Sequence, residues 1–230
     1  MKKNFLFGVL ISLMISGCCV YHPQTIDIPL IRGKNDLRID AGVSVIPTAH
    51  VTISYGLTNK LAIQAFGSVG SDKKYYFQVA PGFYKEIGKQ RVMELYGGFG
   101  SGYGSVFKDA NPGKMFGAYQ LYFVQYNLGR YSTGSEHTEY GFGIKTGYFR
   151  SNLTDRNYYS FYSETGPFNK YKESSLLVEP IMFFRFGGEK VKFRINAGVS
   201  RVIKISNPHN YIPVAIFNMG FGVNFTPKTK

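Results

Sequence analysis

Phe217-Asn218-Met219-Gly220-Phe221-Gly222-Val223-Asn224-Phe225 alternates without a break, with large apolar side chains at the odd positions and Asn, Gly, Gly, Asn between them. Successive side chains of a strand point to opposite faces of a sheet, so this stretch predicts one fully apolar face and one face of small polar residues. Such a face of Asn and Gly is a poor solvent surface for a soluble barrel. It suits the crowded polar interior of a narrow barrel whose apolar face is turned to lipid.

The same pattern repeats upstream. Leu37, Ile39, Ala41, Val43 and Val45 oppose Arg38, Asp40, Gly42 and Ser44; Val51, Ile53 and Tyr55 oppose His50, Thr52 and Ser54. Leu61, Ile63, Ala65 and Val69 follow after a turn at Thr58-Asn59-Lys60. Tyr140, Phe142, Ile144 and Tyr148 oppose Gly141, Gly143, Lys145 and Gly147, and Val191, Phe193, Ile195 and Ala197 oppose Lys192, Arg194 and Asn196. Tyr75 to Tyr84, Val92 to Gly102, Phe116 to Leu128 and Leu176 to Phe186 complete the set, Phe116 to Leu128 being the least regular. Together they predict an all-β chain, a closed antiparallel transmembrane β-barrel over 37–225 with about ten strands, and 8 to 12 as the range. Segments of about ten residues match the length a tilted strand needs to cross a bilayer, and closure leaves no unpaired edge in lipid.

Composition agrees. Eighteen Tyr, 20 Phe and 27 Gly favour strands joined by Gly-rich turns. No cysteine follows Cys19, which excludes a disulfide-stapled core, a Cys-ligated zinc site and an iron–sulfur site. Basic Lys2 and Lys3, an apolar run from Phe5 to Ile15 and small Ser16 and Gly17 read as a signal peptide over 1–17, too short for a spanning helix. Cys19 to Asp36, with Pro23, Pro29 and Gly33, reads as an extended tether, so 18–36 is expected to link an anchor to the first strand, and 226–230 is a short basic tail. The formal charge of +13 becomes +11 once the two signal lysines are removed. In an exported chain that charge points to anionic lipid rather than nucleic acid.

Ile15-Ser16-Gly17-Cys18 resembles the bacterial lipobox, which implies acylation of Cys18 and lipid anchoring without a helix. The chain from Leu37 to Phe225 resembles the small outer-membrane β-barrel family of Gram-negative bacteria, in a lipoprotein form. Within it, Asn218, Gly220, Val223 and Phe225 match that family's terminal-strand signal, which implies the barrel assembly machinery as a partner; five further residues after Phe225 depart from the usual aromatic end. With the tether taken as periplasmic, Thr58 to Lys60, Glu86 to Gln90 and Gly187 to Lys190 become periplasmic turns. The longer connections at Tyr103 to Lys114 and Ser151 to Ser174 then lie outside, and the anchor sits in the periplasmic leaflet.

Chemistry is sparse. There is no G-x-S-x-G, H-E-x-x-H or phosphate-loop motif, and no metal or cofactor is implied. Gly98, Gly100, Gly102 and Gly104 alternate strictly and read as relief of interior crowding. His22, His50, His137 and His209 stand apart from one another, leaving a barrel enzyme that modifies lipid A or phospholipid as an alternative without a constellation to carry it. The remaining alternative is a soluble, lipocalin-like lipoprotein binding an apolar ligand.

Arg38, Asp40, Glu94, Lys145, Glu179, Arg185, Lys192 and Arg194 fall on the interior face, where an ion-pair network that plugs the barrel or a cation-lined pore would use them. Arg156, Tyr158, Tyr159, Phe161, Tyr162, Lys170 and Tyr171 crowd the longest connection and form a candidate contact surface for anionic lipopolysaccharide or a surface polymer. The expected role is therefore non-enzymatic: structural, or contact-making through external loops.

Overall fold

The computed structural model describes residues 19–24, 28–71, 73–107, 114–131, 137–156, 169–206 and 214–227. Its strands are β1 (Leu37–Ser44), β2 (Thr48–Gly56), β3 (Leu61–Gly70), β4 (Tyr75–Glu86), β5 (Arg91–Phe107), β6 (Lys114–Tyr131), β7 (Glu139–Arg156), β8 (Asn169–Gly187), β9 (Val191–Val199), β10 (Arg201–Lys204) and β11 (Phe217–Phe225). Each strand from β1 to β8 pairs antiparallel with the next in sequence, β11 inserts between β9 and β1, and the circuit closes as a ten-stranded barrel. β10 is the extra strand. It lies along β8 in the register β9 began, Gly198 facing Ile181 and Arg201 facing Val178.

Following the registers once around the circuit displaces the chain by about 12 residues, which for ten strands sets a tilt of about 40°. At that tilt nine residues rise about 23 Å along the barrel axis, close to the apolar band of known membrane barrels.

The terminal strand sits as its alternation predicts. Phe217, Phe221, Val223 and Phe225 are exposed on the outside, Met219 is partly so, and Asn218, Gly220 and Asn224 are buried inside. Val51, Ile53, Ile63, Phe77, Val79, Phe83, Tyr122, Phe142, Met182 and Phe193 continue the exposed apolar face around the wall. Burial classes alternate along β2, β3, β4 and β9 in the same way.

Two connections are shorter than their sequence suggested. Strand pairing carries β5 to Phe107 and β6 from Lys114, and carries β7 to Arg156 and β8 from Asn169. Much of the stretch from Ser151 to Ser174 is therefore strand. Uninterrupted ladder pairing overrides the turn-like composition there, because every backbone group finds a partner in the neighbouring strand. β5 to β8 thus rise as a four-stranded wall above the shorter strands.

The segment read as an extended tether runs through the inside of the barrel in its described residues 19–24 and 28–31. Residues 19–24 and 28–31 are buried throughout, and they occupy the lumen from one end to the other. Cys19 packs with Ile46, at the β1–β2 connection, and with Ala215 just before β11. At the opposite end Asn35 donates its N–H to Gly56 O, and the chain enters β1. A closed barrel with an apolar outside has a polar inside, and this segment supplies partners that water would otherwise have to provide.

Candidate functional site

Four carboxylates organise the interior, and three of them hold the N-terminal segment. Near the end where Cys19 lies, Tyr21 donates its hydroxyl to Glu179 Oε1 at 3.0 Å. Glu179 also takes Lys145 Nζ at 2.6 Å on Oε2 and accepts the Ser200 hydroxyl on Oε1. Around Tyr21 the rings of Tyr119 and Phe149 stand edge-on with centroids 5.3 and 5.1 Å away. This end of the lumen is aromatic rather than small and polar, and the glycine row of β5 makes it possible. A Cβ at Gly100 would collide with the Tyr76 ring, and one at Gly104 with the Val20 carbonyl.

Further along, Asn218 Nδ2 donates to Pro23 O at 2.8 Å and Ser68 donates to the Gln24 side-chain Oε1 at 3.2 Å, and nearer the turn end Arg185 donates to Ile28 O. Towards the turn end, Glu94 accepts the Ile31 N–H at 2.8 Å through Oε1 and Asn127 Nδ2 at 3.0 Å through Oε2.

Glu139 is the densest centre. Arg32 approaches at 2.6 Å, Arg185 at 2.7 Å, Lys192 at 3.3 Å and Arg38 at 3.4 Å, and the carboxylate side chain is fully buried. Arg38 is further held by Asp36 at 3.1 Å, and the Arg32 guanidinium lies 4.0 Å over the Tyr131 ring. The fourth centre, Asp40, pairs with Arg194 and accepts Asn224 Nδ2 at 3.3 Å. Charges withdrawn from water persist only where an opposite charge and hydrogen bonds replace hydration, and all eight interior charges expected from the sequence are buried here.

Glu139, Tyr21 and Arg32 were not singled out from the sequence. Glu139 shares the parity of Gly141, Gly143 and Lys145, so alternation alone could have placed it inside. Nothing in local pattern marks Tyr21 or Arg32, whose partners stand 158 and 107 residues away.

The histidines do not converge. His22 is buried in the N-terminal segment, His50 faces inward against the Phe66 ring and beside Arg194, and His137 is half-buried ahead of β7. His209 lies outside the described residues, among which no group of three metal-ligating side chains occurs. His50 and Ser68 border an outward apolar groove at Val51, Gly67 and Phe77, yet both side chains are turned into the lumen, Ser68 towards Gln24. Of the loop residues, Lys170 is exposed on β8, Tyr171 is half-buried, and Arg156 ends β7. Tyr158, Tyr159, Phe161 and Tyr162 lie outside the described residues, as does Cys18.

No protein-family model and no curated protein matches the chain.

Proposed function

We propose that the chain is a non-enzymatic outer-membrane β-barrel lipoprotein, closed by its own N-terminal segment and making its contacts through the end that carries the long connections. The observation that carries this reading is the pairing of a broad band of exposed apolar side chains around the outside with a buried set of paired charges and the N-terminal segment inside. A soluble barrel would bury the first and expose the second. Pairing of the interior charges with one another and with residues 21 and 28–32 argues for a sealed barrel over a conducting one. The terminal strand supports a role for the barrel assembly machinery, since Val223 and Phe225 remain on the outer face while Asn218 and Gly220 point inward.

The position of Cys19 favours a different orientation for the anchor. Long connections outside and a periplasmic anchor were expected together, but Cys19 lies at the same end as the β1–β2 connection and the raised ends of β5 to β8. Both therefore face the same side, and the short turns at 58–60 and 187–190 face the other. Assigning the short turns to the periplasm leaves an acylated Cys18 on the external side. The test is extraction. The full chain with Cys18→Ala should stay in the membrane fraction through alkaline carbonate and migrate faster unheated than heated in a denaturing gel; release into the soluble fraction with no such shift would remove the reading.

A further inference from the structure

Arg150 and Lys172 flank a polar groove on the outer surface of the barrel, at the height where the apolar face ends. Tyr122 and Tyr148 pair across β6 and β7 and are both exposed, forming an aromatic pair just below the groove, while Tyr103, stacked on Tyr75, stands beside Ala118 at its β5 edge. The next outward row is Gln120 beside Arg150, and the one above it runs from Ala118 through Asn152 to Lys172. Ser101, Ala118, Gln120, Arg150, Asn152 and Lys172 line a groove of about 310 Å³ between these rows.

The charge there is one-sided. Arg150 and Lys172 are exposed and have no ion-pair partner among the described residues. The nearby acids, Asp155 and Glu173, are buried on the other face of the same strands. The turn end differs, because there Glu86 lies outside and holds the Tyr131 hydroxyl at 2.8 Å. Two cations, a Gln and an Asn therefore converge just above an aromatic pair, with no outward carboxylate beside them among the described residues. Aromatic rows of barrels mark the boundary between hydrocarbon and headgroup, and Arg and Lys at that boundary meet phosphate oxygens.

The geometry points to a headgroup site: the groove binds the phosphate of a phosphorylated glycolipid of the surrounding outer leaflet, with Arg150 and Lys172 on the phosphate, Gln120 and Asn152 on sugar hydroxyls, and the acyl chains against Tyr122 and Tyr148. This rests on the membrane-barrel reading above. It adds a lipid ligand held by the wall of the barrel, separate from any contact made by the connections.

The test uses the purified full chain in nanodiscs of neutral lipid, titrated with diphosphorylated lipid A, with the same glycolipid after phosphatase treatment, and with inorganic phosphate. Each cation at a membrane surface contributes a roughly fivefold effect on affinity, so Arg150→Gln and Lys172→Gln together should weaken binding of the phosphorylated form about 25-fold. The paired and equally exposed Arg91 and Arg130 at the turn end serve as the control; Arg91→Gln with Arg130→Gln should leave affinity within about twofold. Equal losses in the two pairs, no loss in the first, undiminished binding of the dephosphorylated glycolipid, or inorganic phosphate binding as tightly as lipid A would each overturn the site. A wild-type chain that shows no heat-modifiable migration would instead count against the barrel reading.

Discussion

Tyr21 and Glu179 are joined by a 3.0 Å hydrogen bond across 158 residues of sequence, so the chain's first described segment is bound to the wall that forms near its end. That bond cannot exist until β8 is in place beside the segment. In the folded chain the closed wall and the filled lumen are therefore joined directly, and the interior charges act as the fasteners.

The two partners should differ sharply in what their loss costs. Tyr21→Phe removes one donor from a carboxylate that still holds Lys145 and Ser200, a loss of about 1 kcal/mol. Glu179→Ala leaves the Lys145 ammonium in the interior without its counter-charge, a change worth about 3 to 5 kcal/mol. Urea titration of the heat-modifiable form should place the Glu179→Ala midpoint far below that of Tyr21→Phe. Equal midpoints would mean that water reaches Lys145 and that the lumen is not sealed.

Glu139 offers a test of sign. With four cations around it, Glu139→Gln leaves a cluster of like charges and should be more damaging than removal of any one of them. Adding Arg185→Met to Glu139→Gln removes one of the repelling charges and should restore part of the loss, giving a coupling of about 1 to 3 kcal/mol in a double-mutant cycle. Additive effects would show that the two do not share a site.

How far the sequence could be read follows from where each signal resides. β11, β9 and β2 were legible because each face is chemically uniform along its length, as in Phe217 to Phe225. β6 was the least regular because Tyr119, Leu121 and Phe123 point inward, where the alternation expects small polar residues. Those side chains pack on Tyr21 and its ring partners, so their reason lies in a segment nearly a hundred residues upstream. Val20 to Ile31 carried no strand or helix period at all. An extended plug is shaped by the cavity around it, and its hydrogen bonds go to other parts of the chain, so local pattern has nothing to record. The interior charges were legible by parity, but their pairing was not, since Arg38, Arg185 and Lys192 reach Glu139 from β1, β8 and β9, and Arg32 reaches it from the segment inside the barrel.

The apolar face should show a dependence on depth. Phe221, in the middle of its strand and 44% exposed, should lose about 2 to 4 kcal/mol on replacement by Arg, whereas Ile216, beyond the end of β11 and 73% exposed, should lose about 0 to 1. The folded fraction recovered in membranes, read by heat-modifiable migration, separates these outcomes, and equal tolerance of both would remove lipid from the outer face. Asn218→Arg, although on the inward face, is not a benign comparison. Its side chain holds the Pro23 carbonyl, so an Arg there must displace the plug.

The position of the plug can be fixed covalently. A Cβ at Gly198 would lie 3.4 Å from that of Pro23, close to the spacing of a disulfide. In a Cys18→Ala, Cys19→Ser background, Pro23→Cys with Gly198→Cys should form an intramolecular bond on oxidation of the folded barrel, seen as a shift between reduced and non-reduced gels. Pro23→Cys with Ser101→Cys is the control, because Ser101 belongs to the outer groove. Cross-linking of both pairs, or of neither, would place the segment somewhere other than along the inside of β9.

The last prediction concerns which side of the membrane the chain upstream of the plug reaches. Cys19 lies against Ile46 and Ala215, at the end of the barrel from which β5 to β8 rise, while Gly188 and Glu189 lie in the turn at the other end. A segment that fills the lumen cannot double back within it, since residues 28–31 already occupy the turn end and are held there by Glu94 and Arg185. An epitope inserted between Cys19 and Val20 should therefore be reached by antibody on intact cells, along with one inserted at 132–136 only if that connection faced the same side. By strand order 132–136 joins β6 to β7 at the turn end, so it should behave like an insertion after Gly188 and require permeabilisation of the outer membrane. Staining of the Cys19 insertion only after permeabilisation, as for the two turn-end insertions, would show that the N-terminal segment leaves the barrel by the end at which it meets β1, and the acyl anchor would then belong to the periplasmic leaflet.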